Sequence, residues 1–289
     1  MKQKLVQTMF FAALVPAFAV VAAGDAGTCS PAMLAGAWGY AETGTVYLPT
    51  GAVPYASVGS YTVDADGNLS GARTASAGGT MITAKLKGTA TLDPDCTGTL
   101  TVGFYDDSGT LTNTAVKSVV YANNGTEARA IITSSQAVLT TTAKKLFSAP
   151  ETPVAQADAA CTLAGRSGDY AYTWTGTMVP ASGPVPAAAI GRSIFDEAGN
   201  MSASQTVSRG GTISQVTVKG TYTVNPDCTG TLAVSSYDQA GNLTNKVTWA
   251  TVTVNNMAET YLIMTSMVSA DGSNIPVVIT NQATKLFPQ

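Results

Sequence analysis

The stretch Gly220-Thr221-Tyr222-Thr223-Val224-Asn225-Pro226-Asp227-Cys228-Thr229-Gly230-Thr231-Leu232 has an earlier copy running from Gly88 to Leu100, in which Asp95-Cys96-Thr97-Gly98-Thr99-Leu100 is unchanged. Each copy alternates polar and apolar residues, breaks at Pro-Asp-Cys-Thr-Gly and resumes, which reads as strand, tight turn, strand. Cys29 lies as far from Cys161 as Cys96 lies from Cys228, so the duplication spans the chain. Other landmarks keep the same spacing: Gly36 with Gly168, Tyr40 with Tyr172, Gly67-Asn68 with Gly199-Asn200, Tyr105-Asp106 with Tyr237-Asp238, and Asn123-Asn124 with Asn255-Asn256. The register breaks only near the end, where Lys145-Leu146-Phe147 corresponds to Lys285-Leu286-Phe287. Repeat two therefore carries an insertion, placed at Ser269 to Pro276 and read as a lengthened hairpin loop around Asp271-Gly272.

Turn signals recur every ~10–15 residues with apolar alternation between them, the pattern of a meandering antiparallel sheet. In repeat two Val216, Val218, Gly220, Tyr222 and Val224 share one strand face, and Thr217, Lys219, Thr221 and Thr223 share the other. In repeat one, strands are expected near 36–48, 53–63, 68–77, 80–92, 97–105, 111–122, 127–135 and 137–146. Eight short strands in one meander close most naturally into a barrel, which leaves no open edge; a two-sheet sandwich is the structural competitor. The expected fold is therefore all-β, with two tandem eight-stranded antiparallel barrels over 29–147 and 161–289 joined by an Ala/Pro-rich linker over 148–160.

Met1-Lys2-Gln3-Lys4, the apolar run from Met9 to Val15 and the small residues after it have the layout of a bacterial-type signal peptide, cleaved after Ala19 or Ala23, the latter favoured. The apolar run is short for a membrane span of ~20 residues, and no later stretch could cross as a helix. A secreted or periplasmic protein follows, with no integral membrane span in the mature chain. In such a compartment four cysteines, one pair per repeat, read as two disulfides. Three pairings exist, and Cys29–Cys96 with Cys161–Cys228 lets each repeat oxidise as a unit. Only 11% of residues are charged and the net charge is −3, so no basic face is available for nucleic acid. With no histidine in the chain, the commonest general base and metal ligand is missing, and no metal or cofactor is expected.

Leu34-Ala35-Gly36-Ala37-Trp38, entering the first strand, resembles the Gly-x-Trp start of the calycin superfamily, the lipocalins and avidins. In repeat two Tyr170 stands in place of the tryptophan. The resemblance implies eight-stranded up-and-down barrels that hold a small ligand. It also implies a basic residue near the last strand packed over the aromatic ring, with Lys144 or Lys145, and Lys285, as candidates. The phrases Gly59-Ser60-Tyr61-Thr62-Val63-Asp64 and Gly220 to Thr231 also resemble uncharacterised secreted bacterial proteins and, more distantly, allene-oxide-cyclase and dirigent barrels.

The turn aspartates Asp64, Asp196, Asp106, Asp238, Asp95 and Asp227 are read as bonding their own backbone. Glu127 and Glu259 open a strand after an Asn-Asn turn, where a carboxylate is either solvated or placed to orient a polar ligand. No catalytic residue is assigned. The leading expectation is a non-catalytic binding module for a small, mainly apolar ligand. Its lining is drawn from Trp38, Tyr40, Leu86, Leu100, Val102 and Tyr105 in repeat one, and from Tyr172, Val216, Val218, Leu232, Val234 and Tyr237 in repeat two. The rivals are a structural or surface-interaction protein with filled barrels, and a dirigent- or cyclase-like enzyme. Peptide mapping without reduction should recover Cys29 with Cys96 and Cys161 with Cys228; a bridge between the repeats would contradict the unit-by-unit reading.

Overall fold

The computed structural model describes residues 29–134, 137–147 and 160–286. The signal peptide expected over 1–23, the linker expected over 148–160 except its last residue, and Phe287 lie outside the described residues. Two closed barrels are present, each an antiparallel meander of eight strands. The first comprises β1 (Gly36–Leu48), β2 (Gly51–Val63), β3 (Asn68–Ala77), β4 (Thr80–Ala90), β5 (Thr97–Tyr105), β6 (Leu111–Ala122), β7 (Glu127–Ile132) and β8 (Ala137–Lys145). A short helix α1 (Leu163–Arg166) precedes the second, which comprises β9 (Gly168–Met178), β10 (Val185–Phe195), β11 (Asn200–Arg209), β12 (Thr212–Tyr222), β13 (Thr229–Tyr237), β14 (Leu243–Val254), β15 (Glu259–Ser269) and β16 (Val277–Lys285). Closure comes from β8 pairing with β1 and from β16 pairing with β9. The sandwich alternative falls away because neither sheet has an open edge.

The insertion of repeat two is divided between strand and loop. β15 continues to Ser269 where β7 stops at Ile132, and it keeps its partner because β14 shifts register at Thr248/Trp249, so that Asn245 still faces Ser269. The loop proper is the segment from Ala270 to Pro276.

Aspartates shape the hairpins. Asp64 Oδ1 accepts the N–H groups of Asp66 and Asn68 at 3.0 and 2.8 Å, and Asp196, Asp106 and Asp238 accept the backbone N–H four residues on in the same way. The Asn68 side chain, followed by backbone N–H groups, holds the Asp64 carboxyl below the usual carboxylate range. In the Pro-Asp-Cys-Thr-Gly turns Cys96 and Cys228 both adopt φ 66°, a left-handed conformation rare for a residue with a Cβ. Each forms its expected disulfide, Cys29–Cys96 and Cys161–Cys228, with a sequence separation of 67 in both repeats. A bridge closing a loop of that length contributes ~4 kcal/mol in the chain-entropy account.

The same end of each barrel is sealed by an aromatic side chain. Trp38 is buried, donates its Nε1–H to Leu34 O at 2.9 Å, and stacks on Tyr61 with ring centroids 6.3 Å apart. Lys145 Nζ lies 5.5 Å from the Trp38 ring and donates to Ala35 O at 3.0 Å. In repeat two Tyr170 replaces the tryptophan, and Lys285 Nζ lies 6.0 Å from its ring and donates to Gly165 O at 3.1 Å. The basic partners of the two rings are thus Lys145 and Lys285. Lys144 points elsewhere.

Lys144 reaches the second barrel. Its Nζ lies 2.6 Å from Glu259 and 3.0 Å from Glu127, so both carboxylates bind one ammonium. Burial opposes the charge of Lys144, but the hydrogen bonds and charges of the two carboxylates outweigh it and hold its pKa above the ordinary lysine value. Around this pair the outer face of β14, β15 and β16 (Val252, Val254, Tyr261, Ile263, Val278) packs on Ala56, Val58 and Leu146 of barrel one. Backbone bonds complete the joint: Asn255 and Asn256 donate to Lys145 O and Leu146 O at 3.0 and 2.9 Å, and Ser76 Oγ donates to Val277 O at 2.7 Å. The close approach depends on Gly39, where an added Cβ would overlap Cγ1 of Val252 and of Val254. Gly39→Val should therefore wedge the barrels apart at a cost of ~1–3 kcal/mol. Calorimetry should then resolve two unfolding transitions where the parent shows one; a single unshifted transition would mean the joint contributes little.

Candidate functional site

Strand alternation aims one residue in two at each barrel axis, so the interiors are the natural place for a site. In barrel one the inward series of β1 is Trp38, Tyr40, Glu42, and that of β6 is Ala115, Lys117, Val119. Glu42 and Lys117 therefore meet inside: Lys117 Nζ donates to Glu42 Oε1 at 2.7 Å, with both side chains almost wholly buried. Thr141 Oγ1 accepts from Lys117 at 3.1 Å and lies 3.2 Å from Glu42 Oε1, while Ser57 Oγ donates to Glu42 Oε2 at 3.2 Å. Beside them Arg73 lays its guanidinium 3.6 Å from the Phe104 ring centroid and donates to the Tyr55 hydroxyl at 2.7 Å. Two charges in low dielectric stay there only because each has its partner and further hydrogen bonds.

Barrel two fills the same places differently. In the repeat alignment Glu42 corresponds to Trp174, Lys117 to Trp249, Arg73 to Gln205 and Thr141 to Asn281. The ion pair of one barrel is thus an indole pair in the other. Gln205 Oε1 takes the place of the carboxylate as acceptor, receiving Trp174 Nε1–H at 3.0 Å and Tyr172 O–H at 3.1 Å. At the sealed end Arg166 of α1, where repeat one has Leu34, stacks 4.0 Å from the centroids of both Tyr170 and Phe195. Its carbonyl accepts the Tyr170 hydroxyl at 2.9 Å. Arg166 Nη1, Arg209 Nε and Asn281 Oδ1 are buried without a protein partner. Burial pulls both arginines below their ordinary pKa.

The room left inside is small. It amounts to about 50 Å³ in barrel two and about 30 Å³ in barrel one, measured as space for the centre of a water molecule. That holds a few waters, whereas pockets for small organic ligands run to ~300–1,000 Å³. A larger concavity of about 460 Å³ lies outside the barrels, at their junction, between Tyr61, Phe147 and Asp227.

The expected lining residues divide. Tyr40, Leu86, Leu100 and Val102 border the small space in barrel one, and Tyr172, Val218, Leu232 and Val234 border that in barrel two. Trp38 and Val216 are buried but do not reach those spaces. Tyr105 and Tyr237 stand partly exposed, each following a register shift in its strand, and Lys87 sits 5.4 Å over the Tyr105 ring. Burial drives the hydroxyls of Tyr40 and Tyr172 well above the usual tyrosine pKa, so neither supplies a base near neutrality. Sequence reasoning passed over Glu42, Lys117, Gln205 and the two indoles. Among the described residues no group of acidic and cysteine side chains could hold a metal ion, and no helix is long and apolar enough to cross a membrane.

No protein-family profile and no curated protein matches the chain. Three solved structures share coarse similarity with it. One, provisionally described as AttH, comes from Nitrosomonas europaea, with 11% identity over 96% of this chain and 100% of that one, and a TM-score of 0.29. A protein of unknown function from the DUF3598 family of Nostoc punctiforme shows 12% identity over 87% and 96%, with a TM-score of 0.24. The isotype 1 transferrin binding protein B of serogroup B Neisseria meningitidis shows 9% identity over 86% and 76%, with a TM-score of 0.29. At these scores the likenesses carry no functional argument. The tandem barrel itself is compatible with a non-catalytic binding module.

The ion pair makes a sharp expectation. Lys117→Met strands the Glu42 carboxylate in the core and should cost ~3–5 kcal/mol, while Glu42→Leu with Lys117→Met should recover most of it. Thermal denaturation of the two variants checks this; equal losses would show that the pair, and not its completeness, is what the barrel needs.

Proposed function

We propose that this protein is an exported, non-catalytic interaction module that works from the outer faces of two packed barrels. The observation that carries the reading is the closed volume inside them, about 50 and 30 Å³. A mainly apolar ligand of ordinary size has no room there without displacing core side chains. Glu42 and Lys117 inside barrel one are spent on each other, and Arg73 and Arg166 lie against aromatic rings, which leaves no poised acid, base or nucleophile among them. Outside, large apolar side chains such as Ile190, Ile213, Ile131 and Val138 stand more than half exposed. Two intramolecular disulfides fit a protein that works in an oxidising compartment.

A second reading has one observation in its favour. The unpartnered Arg209 Nε and Asn281 Oδ1 sit in a barrel-two wall that also contains Met178, Met264 and Met267, and methionine walls adapt their shape. That space would take a small polar solute and not an apolar one. An environment-sensitive apolar dye tests the packed-barrel reading against an apolar ligand in the interior. With packed barrels, the dye should show no saturable site, and Val218→Trp should cost ~1–3 kcal/mol by overpacking. Saturable binding at one dye per barrel that Val218→Trp abolishes, with the fold retained, would return the function to the interior.

A further inference from the structure

The joint between the barrels uses two different faces, and each barrel owns a copy of both. Barrel one contributes the outer face of β1 and β2, where Ala56 and Val58 lie buried, together with Leu146. Barrel two contributes the outer face of β14 to β16, where Val252, Ile263 and Val278 are at most 4% exposed. The unused copies are the β9–β10 face of barrel two and the β6–β8 face of barrel one. Among the described residues no other segment covers them.

Both unused faces have kept the apolar character of the joint. Val252, Ile263 and Val278 correspond to Val120, Ile131 and Val138, which are 53%, 55% and 64% exposed. Val58 and Leu146 correspond to Ile190 and Leu286, 63% and 40% exposed. Isolated exposed aliphatics on strands are ordinary, but these occupy the same positions that bury one another inside the chain. The donors recur too. Asn123 and Asn124 have φ 49° and 53°, against 54° and 51° for Asn255 and Asn256, whose N–H groups bind the Lys145 and Leu146 carbonyls. The steric match is preserved in exchanged form. Where the joint sets Gly39 against Val254, the unused faces carry Ala171 and Ala122, one methyl added on one side and two removed on the other. Where it has Ala37 and Tyr261, they carry Asp169, already paired with Arg192 of its own barrel, and Arg129.

We infer that the partner of these faces is a second copy of this chain, docked head to tail: the β9–β10 face of one molecule seats on the β6–β8 face of the next, reproducing the internal joint between molecules. Such an interface is heterologous, so each molecule keeps one free face and assembly continues past the dimer into a ring or a filament. Lys144 has no counterpart in this contact, since Thr284 stands in its place, so the intermolecular joint lacks the shared ammonium and is the weaker of the two. The inference rests on the reading that the protein works from its outer faces, but it fails or stands separately from the dye experiment, which examines the interior.

Sedimentation velocity on the mature, oxidised protein tests it. The weight-average mass should rise with concentration between ~5 and ~200 µM, beyond that of a dimer. Val138→Asp breaks one face and Ile190→Asp the other; both positions are exposed, so each variant should fold and remain monomeric alone. Mixed together, one variant supplies an intact β9–β10 face and the other an intact β6–β8 face, and the mixture should form dimers and nothing larger. A monomeric parent at the highest concentration, association that survives either substitution, or a mixture that stays monomeric would each overturn the proposal.

Discussion

An eight-stranded barrel closes at a radius that side chains can fill or one small ligand can occupy, and here side chains fill it. The two repeats meet this constraint with different chemistry. Barrel one places Glu42 and Lys117 at positions where barrel two places Trp174 and Trp249, and the acceptor that the carboxylate supplies in one is Gln205 Oε1 in the other. Neither substitution could have been made singly without leaving a buried charge or a clash. Both interiors are therefore filled by side chains, with the central polar groups partnered in each. That is the pattern of a core, and it is why the function is sought outside.

Duplication explains the outside as well. Two barrels from one ancestor begin with the same two faces, and a chain of two uses one face from each. On the used face of barrel one several residues are smaller than their counterparts, with Gly39 as the extreme, and beside them the Lys144 ammonium holds Glu127 and Glu259 at once. The insertion after the counterpart of Ile132 also falls here: Pro276 packs on Gly79, and Val277 accepts the Ser76 hydroxyl. Divergence between the repeats is thus concentrated where they meet and where they fill their interiors, while turns and disulfides stay matched.

That division decides what the sequence disclosed. Strand limits, the aspartate turns and the cysteine pairing are local or spacing properties, and they were legible to within a few residues. The barrel followed from the strand count. Lys145 and Lys285 over their aromatic rings came from a family resemblance and not from composition. Glu42 was legible and overlooked: it is in phase with Trp38 and Tyr40, so alternation alone places a carboxylate inside. Lys117 is in phase with Val119 and Tyr121 in the same way. The joint was not legible, because an aliphatic residue on an outward strand position, such as Val252 or Val120, reads as ordinary β-propensity whether or not another surface covers it. The free volume was not legible either, since it depends on how Arg73, Phe104 and the methionines settle against one another.

The disulfides have a mechanical consequence. Each joins the segment just before the first strand of its barrel to the turn between the fourth and fifth, with 67 residues between the two cysteines. A pull on the chain ends passes through sulfur and bypasses the first four strands, so forced extension of each repeat is shorter by ~230 Å than that of the reduced chain. Half of every barrel is thereby shielded from tension, and only the strands after Cys96 and Cys228 can be drawn out while the protein remains oxidised.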